Sequence, residues 1–322
     1  MRRSLNLFSY LAVFSVVFAV TASAGSAYVS GDVFAAVGGG IVDEFSPTGT
    51  LIQVINDGSG STFTTGMAFD NAGNLFITNF GSTVSKMDNM GNIVNTNFIT
   101  GQANVESIVF NGSNILVGDA SQNVINQYDT NGVLTHSFTG LTTQDRGTDW
   151  VDLQNSNTLL YTSEGSSILS LDLTTGLQNA NFADGLPGAN AYALRVIPTG
   201  STSAGDVLVA DSSNALLLSS SGAILMTYAL PGNGGGDFSL NLDPNGKDFW
   251  TGDFLSGNIW EVNIATGAID NTFNSGSGAL FGIAVFGEKV IGRTPEPATM
   301  SMIGLGLVGL GVLRRRKALR NS

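Results

Sequence analysis

A pair of large apolar residues, two positions apart, recurs six times along the chain: Met67/Phe69, Ile108/Phe110, Val151/Leu153, Leu194/Val196, Leu240/Leu242 and Ile283/Val285. The first members of successive pairs are 41, 43, 43, 46 and 43 residues apart. Residues two apart lie on one face of a β-strand, so each pair marks a short strand with a buried side. A second apolar strand follows each of the first five, ending at Asn79, Asp119, Glu164, Asp211 and Asp253. A third strand then runs into a turn carrying Gly91, Gly132, Gly176, Gly222 or Gly267. Glycine suits the positive-φ position of such a turn. A fourth, more variable strand, such as residues 136–138, closes the unit. Four short antiparallel strands at a fixed period are the content of a propeller blade.

Five units are complete and the sixth is split. Residues 32–55 supply strands two to four with their turn glycine, Gly49, but no first strand. Residues 282–288 supply a first strand with nothing after it. Joining the two ends predicts an all-β, six-bladed β-propeller closed by strands from both ends of one chain. A β-helix is the alternative, but its coils are shorter and its ends do not complement each other. Trp150, Trp250 and Trp260 begin or lie in strands, where packing between blades is the default.

The two ends of the chain read as addresses. Arg2 and Arg3, the apolar run from Leu5 to Val20 and the small residues of TASAGSA predict a signal peptide over residues 1–27, cut after Ala24 or Ala27. At the other end, Ala298–Leu313 is apolar for 16 residues, about 24 Å as a helix, and Arg314, Arg315, Arg316 and Lys317 follow at once. That basic end predicts a cytoplasmic terminus. Gly304, Gly306 and Gly309 match a dinucleotide fingerprint, but they sit inside the apolar run with no strand before them and no acidic residue after, so no cofactor is assigned. The predicted organisation is a signal peptide (1–27), a propeller (28–293) and a tail (294–322), with a membrane helix at 298–313 and a basic end at 314–320.

Pro295, Glu296 and Pro297, then the Gly/Leu-rich helix, then the arginine cluster resemble the PEP-CTERM sorting tail of Gram-negative bacteria. The resemblance implies processing by an exosortase near the Pro-Glu-Pro, transient membrane anchoring, and delivery to the cell surface or matrix, commonly beside exopolysaccharide. It covers about 30 residues and says nothing of the activity of the rest.

Composition excludes several chemistries. With no Cys and one His, His136, the chain has no thiolate nucleophile, no disulfide and no site needing two imidazoles. No GxSxG nucleophile elbow is present. Between Asp32 and Glu296 lie all 25 acidic residues and only 6 basic ones, a net charge of −19. Such a domain attracts cations, repels anionic polymers and does not suit nucleic acid.

Strands one and two are antiparallel, so the start of one lies beside the end of the other. Glu106 and Asp149 begin first strands, while Asn79, Asp119, Glu164, Asp211 and Asp253 end second strands; all seven are expected on one rim. Oxygen ligands there suit Ca²⁺, but Asp and Asn at such positions also cap their own turns. Asp152 and Arg195 hold matching positions on neighbouring first strands and predict an ion pair near the axis. Asp119, Asn123, Asp129 and Gly132 resemble the repeat of NHL and gluconolactonase-like propellers. Two functions follow as expectations: a non-enzymatic surface or matrix propeller that binds exopolysaccharide or another surface protein through its acidic rim, or a metal-dependent, lactonase-like hydrolase. An exposed Trp or Tyr192 at the mouth could stack on a sugar.

Overall fold

The computed structural model describes residues 25–140 and 144–291; the signal peptide, the Pro-Glu-Pro motif and the apolar tail lie outside them. Twenty-three strands form six sheets, and no helix occurs among the described residues. The first blade joins β1 (Val33–Gly38), β2 (Ile41–Phe45) and β3 (Leu51–Asn56) to β23 (Gly282–Val285). The second holds β4 (Met67–Phe69), β5 (Leu75–Thr78), β6 (Val84–Met87) and β7 (Ile93–Ile99). The third holds β8 (Val105–Asn111), β9 (Asn114–Asp119), β10 (Val124–Tyr128) and β11 (Leu134–Thr139). The fourth holds β12 (Val151–Asn155), β13 (Thr158–Tyr161) and β14 (Leu169–Asp172). The fifth runs from β15 (Ala191–Val196) through β16 (Val207–Asp211) and β17 (Asn214–Leu218) to β18 (Ile224–Tyr228). The sixth comprises β19 (Asp237–Leu242), β20 (Asp248–Asp253), β21 (Asn258–Asn263) and β22 (Ile269–Asn274).

The expected closure is present. β23 pairs with β1 antiparallel, setting Val33 opposite Val285, Phe34 opposite Ala284, Ala35 opposite Ile283 and Ala36 opposite Gly282. The repeated pairs mark the innermost strand of each blade, and neighbouring innermost strands touch around the axis. Burial follows radius. β8 and β23 are buried almost throughout, whereas the outer β3, β7 and β11 are mostly exposed. The turn glycines Gly49, Gly91, Gly132, Gly176, Gly222 and Gly267 all have φ between 72° and 86°, where a side chain strains the backbone. Glycine serves a second purpose where blades meet: a Cβ on Gly118 would lie 2.5 Å from the Asp149 carbonyl oxygen, so only glycine lets these two backbones approach.

The fourth blade departs from expectation. It has three strands, and the chain beyond Gly176 makes only isolated bridges, Leu171 to Gln178 and Ile168 to Ala183. The stretch QNANFADG carries Asn, Asp and Gly where other blades carry β-branched residues, so it lacks the strand propensity to hold a continuous ladder.

The core lies between blades. Tyr28, Phe34 and Phe69 bridge the first and second, with ring centroids 4.8 to 5.8 Å apart. Trp250 is fully buried beside the closing blade, and its indole N–H donates to Asp243 Oδ2 at 3.0 Å. Each such buried side chain contributes about 1.5–3 kcal/mol.

Candidate ligand site at the mouth of the propeller

All six innermost strands start at the same end of the axis. The position two residues before each repeat pair is therefore the same place in every blade, and it holds Thr65, Glu106, Asp149, Tyr192, Phe238 and Phe281. Five of these line a cavity of about 230 Å³ at the mouth, together with Phe63, Phe80, Arg146, Glu164 and Phe254. Phe80 and Phe254 are also equivalent: each follows the polar residue that ends a second strand.

The mouth has two sectors. One is an unbroken arc of six rings, Phe80–Phe63–Phe281–Phe254–Phe238–Tyr192, with successive centroids 5.7, 5.1, 5.2, 5.8 and 4.8 Å apart. The other is charged. Arg146 Nε meets Glu164 Oε2 at 2.9 Å, and its guanidinium lies 5.2 Å from the Phe80 ring centroid. Beside them Glu106 and Asp149 face each other, both buried. Burial pushes the Asp149 carboxyl well above the usual range, and the charge of Glu106 adds to it. Burial raises Glu106 too, while the hydrogen bond from Asp149 draws it back. Two carboxyl groups in contact need a shared proton, and burial pushes both of them up. Glu106 Oε2 and both Asp149 carboxyl oxygens meet no N–H or hydroxyl donor among the described residues. The shared proton occupies at least one Asp149 oxygen, and the oxygens left over are buried polar atoms that the rest of the described fold does not satisfy.

Two lining residues are held in the left-handed backbone region, Phe80 at φ 48° and Glu164 at φ 47°. That region costs a non-glycine residue about 1–2 kcal/mol, and such strain collects at sites where a side chain must be aimed.

Of the seven rim residues expected from sequence, Glu106 and Glu164 line the cavity and Asp149 abuts Glu106. The other four bond to surrounding loops. Asp119 accepts the amides of Ala103, Asn104 and Ser121 at 2.8, 3.1 and 3.0 Å. Asp253 accepts the Gly234 and Leu255 amides at 2.7 and 3.0 Å and the Ser256 hydroxyl at 2.6 Å. Asp211 Oδ2 accepts the Gly188 amide at 2.6 Å, while its buried Oδ1 meets no donor among the described residues, and Asn79 accepts the Gly81 amide at 3.1 Å. Among the described residues no group of three or more His, Asp or Glu side chains is arranged to hold a metal ion. His136 is exposed on β11, far along the sheet from the axis.

The opposite end of the axis, the floor, is closed. Arg195 Nε meets Glu288 Oε1 at 3.1 Å, and the same oxygen accepts the Leu242 amide at 2.9 Å. With its amide turned to satisfy both ends, Asn241 donates to Glu288 and accepts from Arg195 Nη2 at 2.8 Å. Arg195 spends its close contact on Glu288, a residue sequence reasoning passed over, while Asp152 Oδ2 accepts the Val196 amide at 2.7 Å. Burial raises the Asp152 carboxyl, and the Arg195 charge lowers it in part. Only about 20 Å³ of space remains at this end.

Residues 294–317 match the PEP-CTERM protein-sorting motif. The chain is thus a six-bladed β-propeller that carries a PEP-CTERM sorting motif, which implies sorting by an exosortase and export to the cell surface. No curated protein matches it. Among solved structures it is similar to a chain of a nidogen/laminin complex, with 14% identity, a TM-score of 0.64 and coverage of 82% of this chain and 99% of the other. It is also similar to the WD40 β-propeller domain of Doa1, with 15% identity, a TM-score of 0.60 and coverage of 80% and 83%. At these identities the likeness is one of fold.

Proposed function

We propose that this protein is an exported, non-enzymatic binding propeller whose mouth takes a sugar unit of a neutral or amino-sugar glycan, such as an exopolysaccharide. The observation that carries the reading is the arc of six rings that lines one cavity together with Glu106, Arg146 and Glu164, with the buried Asp149 behind Glu106. Aromatic faces stack on the apolar faces of sugar rings, and sugar hydroxyls or an ammonium supply the donors that Glu106 and Asp149 lack. The net charge of −19 between Asp32 and Glu296 disfavours uronate-rich chains. A cavity of about 230 Å³ suits a terminal or looped-out sugar rather than a long run of polymer. The NHL-like resemblance adds no ligand to this reading. The lactonase alternative needs several oxygen ligands converging on one divalent ion, and the capping roles of Asn79, Asp119, Asp211 and Asp253 leave it without support.

The test is calorimetric titration of the exported domain with neutral, amino-sugar and uronate-rich oligosaccharides. Binding of the first two, weakened in Tyr192→Ala and Glu106→Gln, supports the proposal. Binding confined to uronates, or unchanged in both variants, overturns it.

A further inference from the structure

We infer that, while the sorting tail is attached, the floor of the propeller faces the membrane and the aromatic mouth opens away from it. The inference rests on the reading of the tail as a membrane anchor, and otherwise on the polarity of the strands. β23 leaves the mouth at Phe281 and runs toward the floor, where Glu288 and Val290 bound the small closed space with Arg195. The chain is fastened there. Glu288 is gripped by Arg195, Asn241 and the Leu242 amide, and Ile291 packs against the cores shared by the third, fourth and fifth blades. The segment leading to the sorting motif therefore departs from the floor.

Tether length turns this exit point into an orientation. Residues 292–297 separate Ile291 from the apolar run that begins at Ala298, a reach of at most about 25 Å when fully extended. A domain of this length has a radius of gyration of about 18 Å. To bring the mouth to the membrane, the tether would have to pass from the floor around the edge of the disc and across its thickness, more than about 40 Å in all. It is too short. The anchored protein thus offers its mouth to the outside.

The absence of native cysteine makes the test direct, because each single-Cys variant reports one position. Ser113 and Ser156 are exposed in turns at the floor; Ser82 and Ser121 are exposed in turns at the mouth. The full chain carrying one labelled cysteine is inserted into vesicles containing a headgroup-linked nitroxide quencher. The faces are separated by about a strand length of 20 Å, so the Ser113→Cys and Ser156→Cys labels should be quenched roughly threefold more than those at Ser82→Cys and Ser121→Cys. Equal quenching on the two faces, or stronger quenching at the mouth, in a chain that co-floats with the vesicles overturns the orientation alone. A chain that does not co-float overturns the anchoring reading and the inference with it.

Discussion

The two ends of the propeller axis carry similar chemistry put to opposite use. At the floor, the Glu288 carboxylate is matched by a guanidinium, a backbone amide and a side-chain amide, and almost no space is left. At the mouth, Glu106 and Asp149 are more deeply buried, yet apart from the proton they share they keep oxygens that find no donor in the described fold, and an open cavity lies beside Glu106. A buried charge that is fully paired holds a structure together. A buried acid left unpaired costs stability and points to a water, an ion or a ligand that completes it.

The sharpest way to break this contrast is to remove one acid from each end. Glu288→Ala leaves Arg195 and the Leu242 amide unmatched, and unpairing a buried ion pair costs about 3–5 kcal/mol by urea unfolding. Glu106→Gln is expected to be neutral or stabilising in the same assay, and an equal loss at both sites would erase the distinction.

Next in size is the pH dependence. Asp149, Glu106 and Asp237 all have folded-state pKa values raised by burial. Above the unfolded carboxyl pKa the native state holds more protons than the unfolded one, so stability falls as pH rises, by about 1.4 kcal/mol per unit for each such group until its raised pKa is reached. Asp149→Asn should flatten the slope between pH 5 and 7; an unchanged slope would mean that Asp149 is already ionised.

Tyr192→Ala should weaken glycan binding about tenfold, or about 1.4 kcal/mol, with a smaller change in melting temperature. The smallest effect, no response to Ca²⁺ at all, is expected at the rim. Asp119→Ala removes a cap on three amides and should cost about 1–2 kcal/mol. Its melting point should shift no differently with Ca²⁺ or chelator than the parent's. A Ca²⁺-dependent stabilisation lost in this variant would restore the ion to the rim.

The blade plan was legible because the apolar pairs and turn glycines answer to local rules, strand alternation and positive φ, that hold wherever a blade sits. Closure was legible for the same reason, since Ile283 lacked the partners that residues 32–55 supply. The mouth was harder. The recurrence of Glu106 and Asp149 at strand starts was visible, and the same register leads to Tyr192, Phe238 and Phe281; only their convergence on one axis turns three scattered rings into part of an arc. Phe63 and Arg146 come from loops outside the repeat and leave no periodic trace. The missing outer strand of the fourth blade is an absence of propensity rather than a signal. Glu288 lies beyond the last strand, so nothing local announced that it would capture Arg195.

Pairing of the last strand with the first has a consequence for biogenesis. Until Gly282–Val285 has been exported, β1 is an open edge with unpaired amides and carbonyls, a template for joining other chains. The ring is sealed by residues that emerge only about ten positions ahead of the sorting motif, so a truncated secretion product stays unsealed while a finished one reaches the sorting machinery with its circle complete.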